Sequence, residues 1–281
     1  MISDGAKSIL PEFILRALEE IDGTIEELRL RTGMEPRLKL AGRVVTLPGI
    51  RPSVQLLREI ALKAAQHSLY SYEKPLRNGW LPLPGGGRLG IAATLADGGI
   101  RDISSLCLRF PGVHPCLSQV EYKNIYHNGF QSTLILSPPG FGKTTLLRAL
   151  LGYLLEDGYM IGVADDRFEI TAMRGGIPGF PFVGGCDVIS GGRKDESMLM
   201  LLRSMAPDII VCDEITSPED AAAVIAVGNC GVALLSTAHA NSKEALTRRP
   251  VYREMMENQI FQRLIRIDVS NGVRQYYTEA L

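Results

Sequence analysis

A glycine-rich segment with one lysine and two threonines separates an apolar run from a leucine-rich helical pattern. Residues 137–145 are SPPGFGKTT, after the apolar residues 133–136. Glycines in such a loop let backbone N–H groups turn toward an anionic phosphate, and a following helix adds the positive end of its dipole. Lys143 would reach the β- and γ-phosphates, and the hydroxyl of Thr144 would bind Mg²⁺. The segment predicts an ATP and Mg²⁺ site, although Ser137 stands where the consensus motif has glycine; the alternative is an ordinary strand–helix turn. The predicted nucleotide-binding residues are Ser137, Pro138, Pro139, Gly140, Phe141, Gly142, Lys143, Thr144 and Thr145.

Two carboxylates end a second apolar run, at residues 209–214. Asp213 is placed to hold the Mg²⁺ shell, usually through water, and Glu214 to orient and deprotonate the water that attacks the γ-phosphate. The alternative is a buried strand whose polar end emerges into solvent. After a phosphate loop in the same α/β unit, the catalytic interpretation is favoured.

Two more polar segments follow predicted strands. The first is an acidic box with Asp165, Asp166 and Glu169, and the second, at residues 236–241, contains His239. Ligands of open α/β sheets bind at the carboxyl ends of the strands. The acids could order water or Mg²⁺, or cap a turn, and the first of them is the weaker candidate. An imidazole beside the carboxylate pair could contact the γ-phosphate or Glu214 and report the presence of ATP; the alternative is an ordinary surface histidine.

The order of elements predicts an α/β fold. Strands at about 133–137, 160–165, 208–213 and 232–237 alternate with helices, and near-continuous apolar runs are typical of a parallel sheet covered on both faces. We therefore expect a P-loop NTPase domain over 132–281, in which a mostly parallel sheet is flanked by helices. A smaller α+β domain is expected over 1–115, with a linker over 116–131.

Composition excludes several classes of protein. Among 281 residues, 30 Lys and Arg balance 31 Asp and Glu, so no net charge favours direct binding of nucleic acid. No apolar stretch is long enough to cross a bilayer, and the N-terminus lacks the pattern of an export signal. Five scattered cysteines without a CxxC pair favour free thiols in a reducing cytoplasm.

The phosphate loop, the acidic box, the carboxylate pair and the histidine segment, in this order along the chain, resemble those of the secretion-type hexameric ATPases, the superfamily of type II and type IV secretion and pilus motors. The segments EELRLRTGMEPRL, GGGRLGIAATLADGGIRDISSLCLRF and LLRSMAPDIIVCDEI further resemble the stage III sporulation protein AA family, over most of residues 25–240. The resemblance implies a RecA-like ATPase domain and a hexameric ring. It also implies a cytoplasmic location, peripheral to the membrane on the mother-cell side of the forespore, with membrane proteins of the sporulation channel complex as partners.

The resemblance also assigns residues. Gly142 to Thr145 match the family's phosphate loop, the pair at 213–214 its second Walker motif, and His239 its histidine box. Arg101 and Arg109 match arginines that, in related motors, complete a neighbouring subunit's site by neutralising charge on the transferring phosphoryl group; the alternative is two ordinary surface arginines.

The sequence departs from the family pattern in two places. Gly185 stands where the family tends to have arginine, and the region after Lys243 matches poorly. Two short strands joined by an Asn271-Gly272 hairpin turn are expected in that region.

These observations together favour an Mg²⁺-dependent ATPase, a motor subunit that energises or assembles the sporulation channel complex by hydrolysing a phosphoanhydride. One alternative is a nucleic-acid-dependent ATPase with the same core, against which the lack of basic–aromatic stretches argues. The other is a scaffold that binds ATP to assemble, with little turnover.

Overall fold

The chain forms two compact units in a computed structural model. The model describes residues 4–40, 43–65, 79–83, 87–96, 99–110, 117–173, 175–180, 183–240, 242–270 and 273–281. The first unit comprises Met1–Val113 with Ala172–Gly179, and the second comprises His114–Thr171 with Phe180–Leu281.

The first unit is an antiparallel sheet of six described strands with helices packed on it. Along the sheet the strands are ordered β3-β2-β1-β6-β5-β4. In β1, Leu28 and Leu30 are buried while Arg29 between them faces solvent, and this period of two fixes the face that meets the core. The strands are β1 Ile25–Arg31, β2 Met34–Leu40, β3 Arg43–Thr46, β4 Trp80–Pro82, β5 Arg88–Ala96 and β6 Gly99–Arg109, and the helices are α1 Asp4–Ile9, α2 Glu12–Glu19 and α3 Val54–Ala64.

The second unit is built on a seven-stranded sheet ordered β13-β12-β7-β11-β10-β8-β9. All neighbouring strands are parallel except the edge pair β12 and β13. The strands are β7 Thr133–Leu136, β8 Ile161–Asp165, β9 Asp187–Ser190, β10 Ile209–Glu214, β11 Ala233–Ala238, β12 Arg263–Ser270 and β13 Val273–Ala280. Helices cover both faces, which is why the central strands carry continuous apolar runs.

Three of the described helices of the second unit begin at a serine whose side chain caps the helix, and the other three have no side-chain cap. In the helix that follows β10, Ser217 and Asp220 form a reciprocal capping box. The helices are α4 Gln119–Ile125, α5 Lys143–Glu156, α6 Lys194–Ser204, α7 Pro218–Asn229, α8 Lys243–Thr247 and α9 Pro250–Glu257. Among the described residues, no helix has both the length and the apolarity that crossing a membrane would require.

The predicted fold class is confirmed, with differences in detail. The range 116–131, predicted as a linker, contains α4, because a capping box of Ser118 and Glu121 starts the helix and the ring of Tyr122 stacks on Tyr153 of α5 with 4.9 Å between centroids. Strands β4 and β9 were not predicted; both are short and carry no long apolar run. The Asn271-Gly272 turn and the expected boundary at residue 115 lie outside the described residues.

Candidate nucleotide site

The phosphate loop connects β7 to α5. Gly142 is the N-cap of α5 with φ +97°, and Gly140 has φ +82°, conformations that a side chain would strain. Ser137 is fully buried, and its hydroxyl donates to the carbonyl oxygen of Pro138 at 3.0 Å. The loop thus fixes its own start and leaves the first N–H groups of α5 at the helix N-terminus, where anions bind.

Lys143 is held within this loop. Its Nζ donates to the carbonyl oxygens of Ser137 at 3.0 Å and Pro138 at 3.3 Å, and it lies 2.6 Å from Nδ1 of His239. Burial lowers the pKa of Lys143 to about 8, although the charge of Glu214 opposes that shift. The ammonium is therefore poorly solvated, and contact with an anion would stabilise its charge.

The order of the strands explains why His239 is central. Strand β11 lies between β7 and β10, with Ala238 paired to Leu136 on one side and Thr237 paired to Glu214 on the other. His239 follows β11 directly, so it reaches both neighbouring strand ends.

His239 links the phosphate loop to the second Walker motif. Its Nε2 lies 3.3 Å from Oε2 of Glu214, while its Nδ1 faces the Nζ of Lys143. Because an ammonium only donates, Nδ1 accepts, and a neutral imidazole then carries its proton on Nε2 and donates it to Glu214. Three predicted site residues thus form one continuous chain of contacts.

Asp213 is buried and faces a lysine that sequence analysis did not single out. Oδ1 of Asp213 forms an ion pair with Nζ of Lys194, the first residue of α6, and the same Nζ donates to the carbonyl oxygen of Glu214. Burial raises the pKa of Asp213, and the ammonium of Lys194 opposes this rise. The two residues thus form a buried pair at the edge of the sheet.

The three acids of the acidic box have different surroundings. Asp165 is fully buried, and its carboxylate accepts hydrogen bonds from the backbone N–H groups of residues 169–171 and from the hydroxyl of Thr171. It therefore closes the loop after β8. Oδ1 of Asp166 lies 3.9 Å from Nζ of Lys194, the same atom that pairs with Asp213. The carbonyl oxygen of Glu169 accepts from the guanidinium of Arg148.

The two arginines of the family resemblance lie on β6 of the first unit. Nε of Arg101 is 3.8 Å from Asp102, and Nε of Arg109 is 3.4 Å from Glu27. The side chains are 73% and 58% exposed, so both remain accessible within their own unit.

Gly185, the departure from the family pattern, is closely packed. A Cβ atom there would lie 3.2 Å from Cδ2 of Leu155. Any larger side chain would thus require Leu155 to move.

The oxygen ligands at this edge of the sheet are suited to a bound Mg²⁺–nucleotide. Mg²⁺ prefers hard oxygen ligands and takes several of them from phosphates and water. The hydroxyl of Thr144, in the first turn of α5, and the carboxylates of Asp213 and Asp166 are donors of this kind. Within the described part of the chain, no group of three or more His, Cys, Asp or Glu side chains is arranged to hold a metal ion.

Two residues near the site were missed by sequence reasoning. Lys194 follows two glycines and an arginine, and the first turn of its helix also holds Asp195 and Glu196, so the local sequence does not mark it as a buried cation. Arg274 of β13 donates from Nε to the carbonyl oxygen of Phe141 in the phosphate loop, at 3.1 Å. Nothing in the local sequence indicates this contact between residues so far apart.

The fold is that of secretion ATPases. The structure of the ATPase DotB from Legionella pneumophila matches with a TM-score of 0.63 at 15% identity, over 96% of this chain and 80% of that chain. The pilus retraction motor PilT, solved with bound ADP, matches with a TM-score of 0.60 at 15% identity, over 96% of this chain and 82% of that one. The P-loop, RecA-like class of the second unit follows from these similarities.

The sequence comparisons define the family. The family model for sporulation stage III, protein AA matches residues 7–277. Stage III sporulation protein AA of Bacillus subtilis (strain 168) is 32% identical, over 94% of this chain and 90% of that protein. The chain belongs to the sporulation stage III protein AA family, which confirms the resemblance drawn from its motifs.

Proposed function

We propose that this chain is an Mg²⁺-dependent ATPase, the motor subunit of a secretion-type ring. The observation that supports this best is the contact chain Lys143–His239–Glu214 at the carboxyl edge of a parallel sheet. It joins the lysine proposed to bind phosphates to a carboxylate that can accept a proton from water. An ordinary strand–helix turn requires no such contact between the side chains of two strand ends.

Each residue has a role in this proposal. Lys143 exchanges the carbonyl oxygens of its own loop for phosphate oxygens, and the N–H groups at the start of α5 hold the same phosphates. Thr144 and Asp213 would hold Mg²⁺, which would supply charge neutralisation at the phosphates. Glu214 accepts a proton from the water that attacks the γ-phosphate, while His239 fixes the orientation of Glu214.

The assembly and the location are proposed from the family. We infer a homo-oligomer, a hexameric ring, that uses ATP to energise or assemble the sporulation channel complex. Its partners would be membrane proteins of that complex, and it would work in the cytoplasm at the mother-cell side of the forespore.

The test separates binding from turnover with Glu214→Gln. The amide keeps the shape of the side chain but cannot accept a proton, so we expect ATP to bind with affinity within about threefold of wild type while turnover falls by about 100-fold or more. Equilibrium binding of a fluorescent ATP analogue and phosphate release measure the two. Glu219→Gln, an exposed residue in the first turn of α7, is the matched control and should change neither.

Three outcomes would contradict the proposal. Turnover that survives Glu214→Gln would show that Glu214 does not accept the proton of the attacking water. A variant without turnover that still supports sporulation would favour the scaffold that binds ATP to assemble. Turnover that depends strongly on single-stranded DNA favours the nucleic-acid-dependent ATPase.

A further inference from the structure

Lys194 is the buried cation at the acidic edge of the site. It is 5% exposed, and its Nζ contacts Oδ1 of Asp213 and the carbonyl oxygen of Glu214. The same Nζ lies 3.9 Å from Oδ1 of Asp166. One ammonium therefore bridges both residues of the second Walker motif and one residue of the acidic box.

The position of Lys194 is unfavourable without these acids. Burial of a charged amine carries a large desolvation penalty, and the N-terminus of α6 adds a repulsive dipole end. The carboxylate of Asp213 compensates both, and it is the carboxylate proposed above for the shell of Mg²⁺. The cation of Lys194 and a divalent cation would therefore compete for one anion.

We propose that the ammonium of Lys194 and Mg²⁺ compete for the carboxylate of Asp213, so that Mg²⁺ arriving with ATP must displace Lys194. Lys194 is then a positioning residue that sets how much Mg²⁺ the site requires. The inference rests on the proposed function, since it takes Asp213 as the acid of the Mg²⁺ shell.

Asp166 offers the displaced ammonium a second acceptor. Its Oδ1 is buried and forms no hydrogen bond within the described part of the chain, although Nζ of Lys194 is 3.9 Å away. A movement of about 1 Å would bring the two into hydrogen-bond distance. The ammonium can therefore leave Asp213 without losing all compensation for its buried charge.

Lys194→Met tests the competition, with the exposed Lys123→Met as the matched control. The measurement is the MgCl₂ concentration that gives half-maximal binding of a fluorescent ATP analogue. We expect it to fall by about tenfold or more in Lys194→Met, the equivalent of losing one charge-assisted hydrogen bond, and to stay unchanged in the control. Lys194→Arg, which keeps the cation, should retain the wild-type requirement.

An unchanged or higher Mg²⁺ requirement in Lys194→Met, with ATP still bound, would overturn this inference and leave the proposed function standing. Failure of wild type to bind ATP at any Mg²⁺ concentration would overturn both.

A second measurement needs no nucleotide. In Lys194→Met, MgCl₂ alone should raise the melting temperature, because it restores a cation beside Asp213. In Lys194→Met/Asp213→Asn, where the anion is also removed, it should not. If Lys194→Met is unfolded without MgCl₂, the ion should restore its folded circular dichroism spectrum. Equal responses of the two variants, or no response of Lys194→Met, would also overturn the inference.

Discussion

At the scale of single residues, the site depends on which groups surround the charged amine of Lys143. Lys143 is satisfied by two backbone carbonyls and an imidazole, none of which is an anion. Its ammonium keeps its charge without a full counter-charge in contact, and this is the arrangement in which a phosphate gains most on binding.

A consequence is that ATP binding should depend on pH in the alkaline range. The pKa of Lys143 is lowered to about 8 by burial, and contact with phosphates would raise it. Below about pH 8 the lysine is charged before ATP arrives. Above that pH, binding must take up a proton, so the affinity should fall by up to about tenfold for each further pH unit.

Titrations with a fluorescent ATP analogue between about pH 7.5 and 9.5 would measure this slope, since a terminal phosphate is already ionised there. An affinity that stays constant across this interval would show that the lysine is charged throughout, contrary to the expectation.

At the scale of elements, strand order decides which residues meet. The ends of the apolar runs could be predicted from the sequence, so the placement of Lys143, Asp213 and His239 at one sheet edge was predictable from the carboxyl ends of parallel strands. The insertion of β11 between β7 and β10 was not, because apolar runs of similar composition do not specify their neighbours. Without that order, the position of His239 between Lys143 and Glu214 could not be stated.

Burial of polar groups was the second unpredictable feature. Lys194 follows two glycines and an arginine, a pattern typical of an exposed loop, and only the tertiary structure shows that its ammonium is enclosed. Asp165 and Asp166 are adjacent in sequence, yet one is saturated by its own loop and the other faces Lys194. The side-chain pattern of β8, which ends at residue 165, does not predict the path of the loop that follows.

Alanine substitutions of Asp165 and Asp166 should therefore lower the free energy of unfolding by different amounts. Asp165→Ala removes the acceptor of three backbone N–H groups and one hydroxyl, with three of these four hydrogen bonds buried, so the free energy of unfolding should fall by about 3 kcal/mol or more. Asp166→Ala loses only ion pairs at 3.9 Å and should cost less than about 1 kcal/mol.

Urea unfolding followed by circular dichroism compares the two variants. A similar loss of stability in both, or a larger loss in Asp166→Ala, would mean that the carboxylate of Asp165 is not what closes the loop.

At the scale of the whole molecule, the second unit holds the residues proposed for binding and hydrolysis, and the first unit holds the two arginines proposed to act on a neighbour. Arg101 and Arg109 pair only loosely with acids of their own unit, at 3.8 and 3.4 Å, and both are largely exposed. An exposed guanidinium with a weak local partner costs little to redirect to a phosphate. The alternative, two surface arginines without a role in hydrolysis, predicts that each subunit works alone.

Mixing two inactive variants decides between these arrangements. Glu214→Gln lacks the carboxylate that acts on water, and Arg101→Ala/Arg109→Ala lacks the proposed guanidinium groups, so each homogeneous preparation should be inactive. If sites are shared across an interface, a randomly mixed ring combines an intact Glu214 with arginines from the neighbouring subunit at roughly a quarter of its sites. Phosphate release by the mixture should then rise clearly above the sum of the separate preparations after subunit exchange. An arginine variant with wild-type turnover, or a mixture as inactive as its parts, would contradict sharing and return Arg101 and Arg109 to the surface of their own unit.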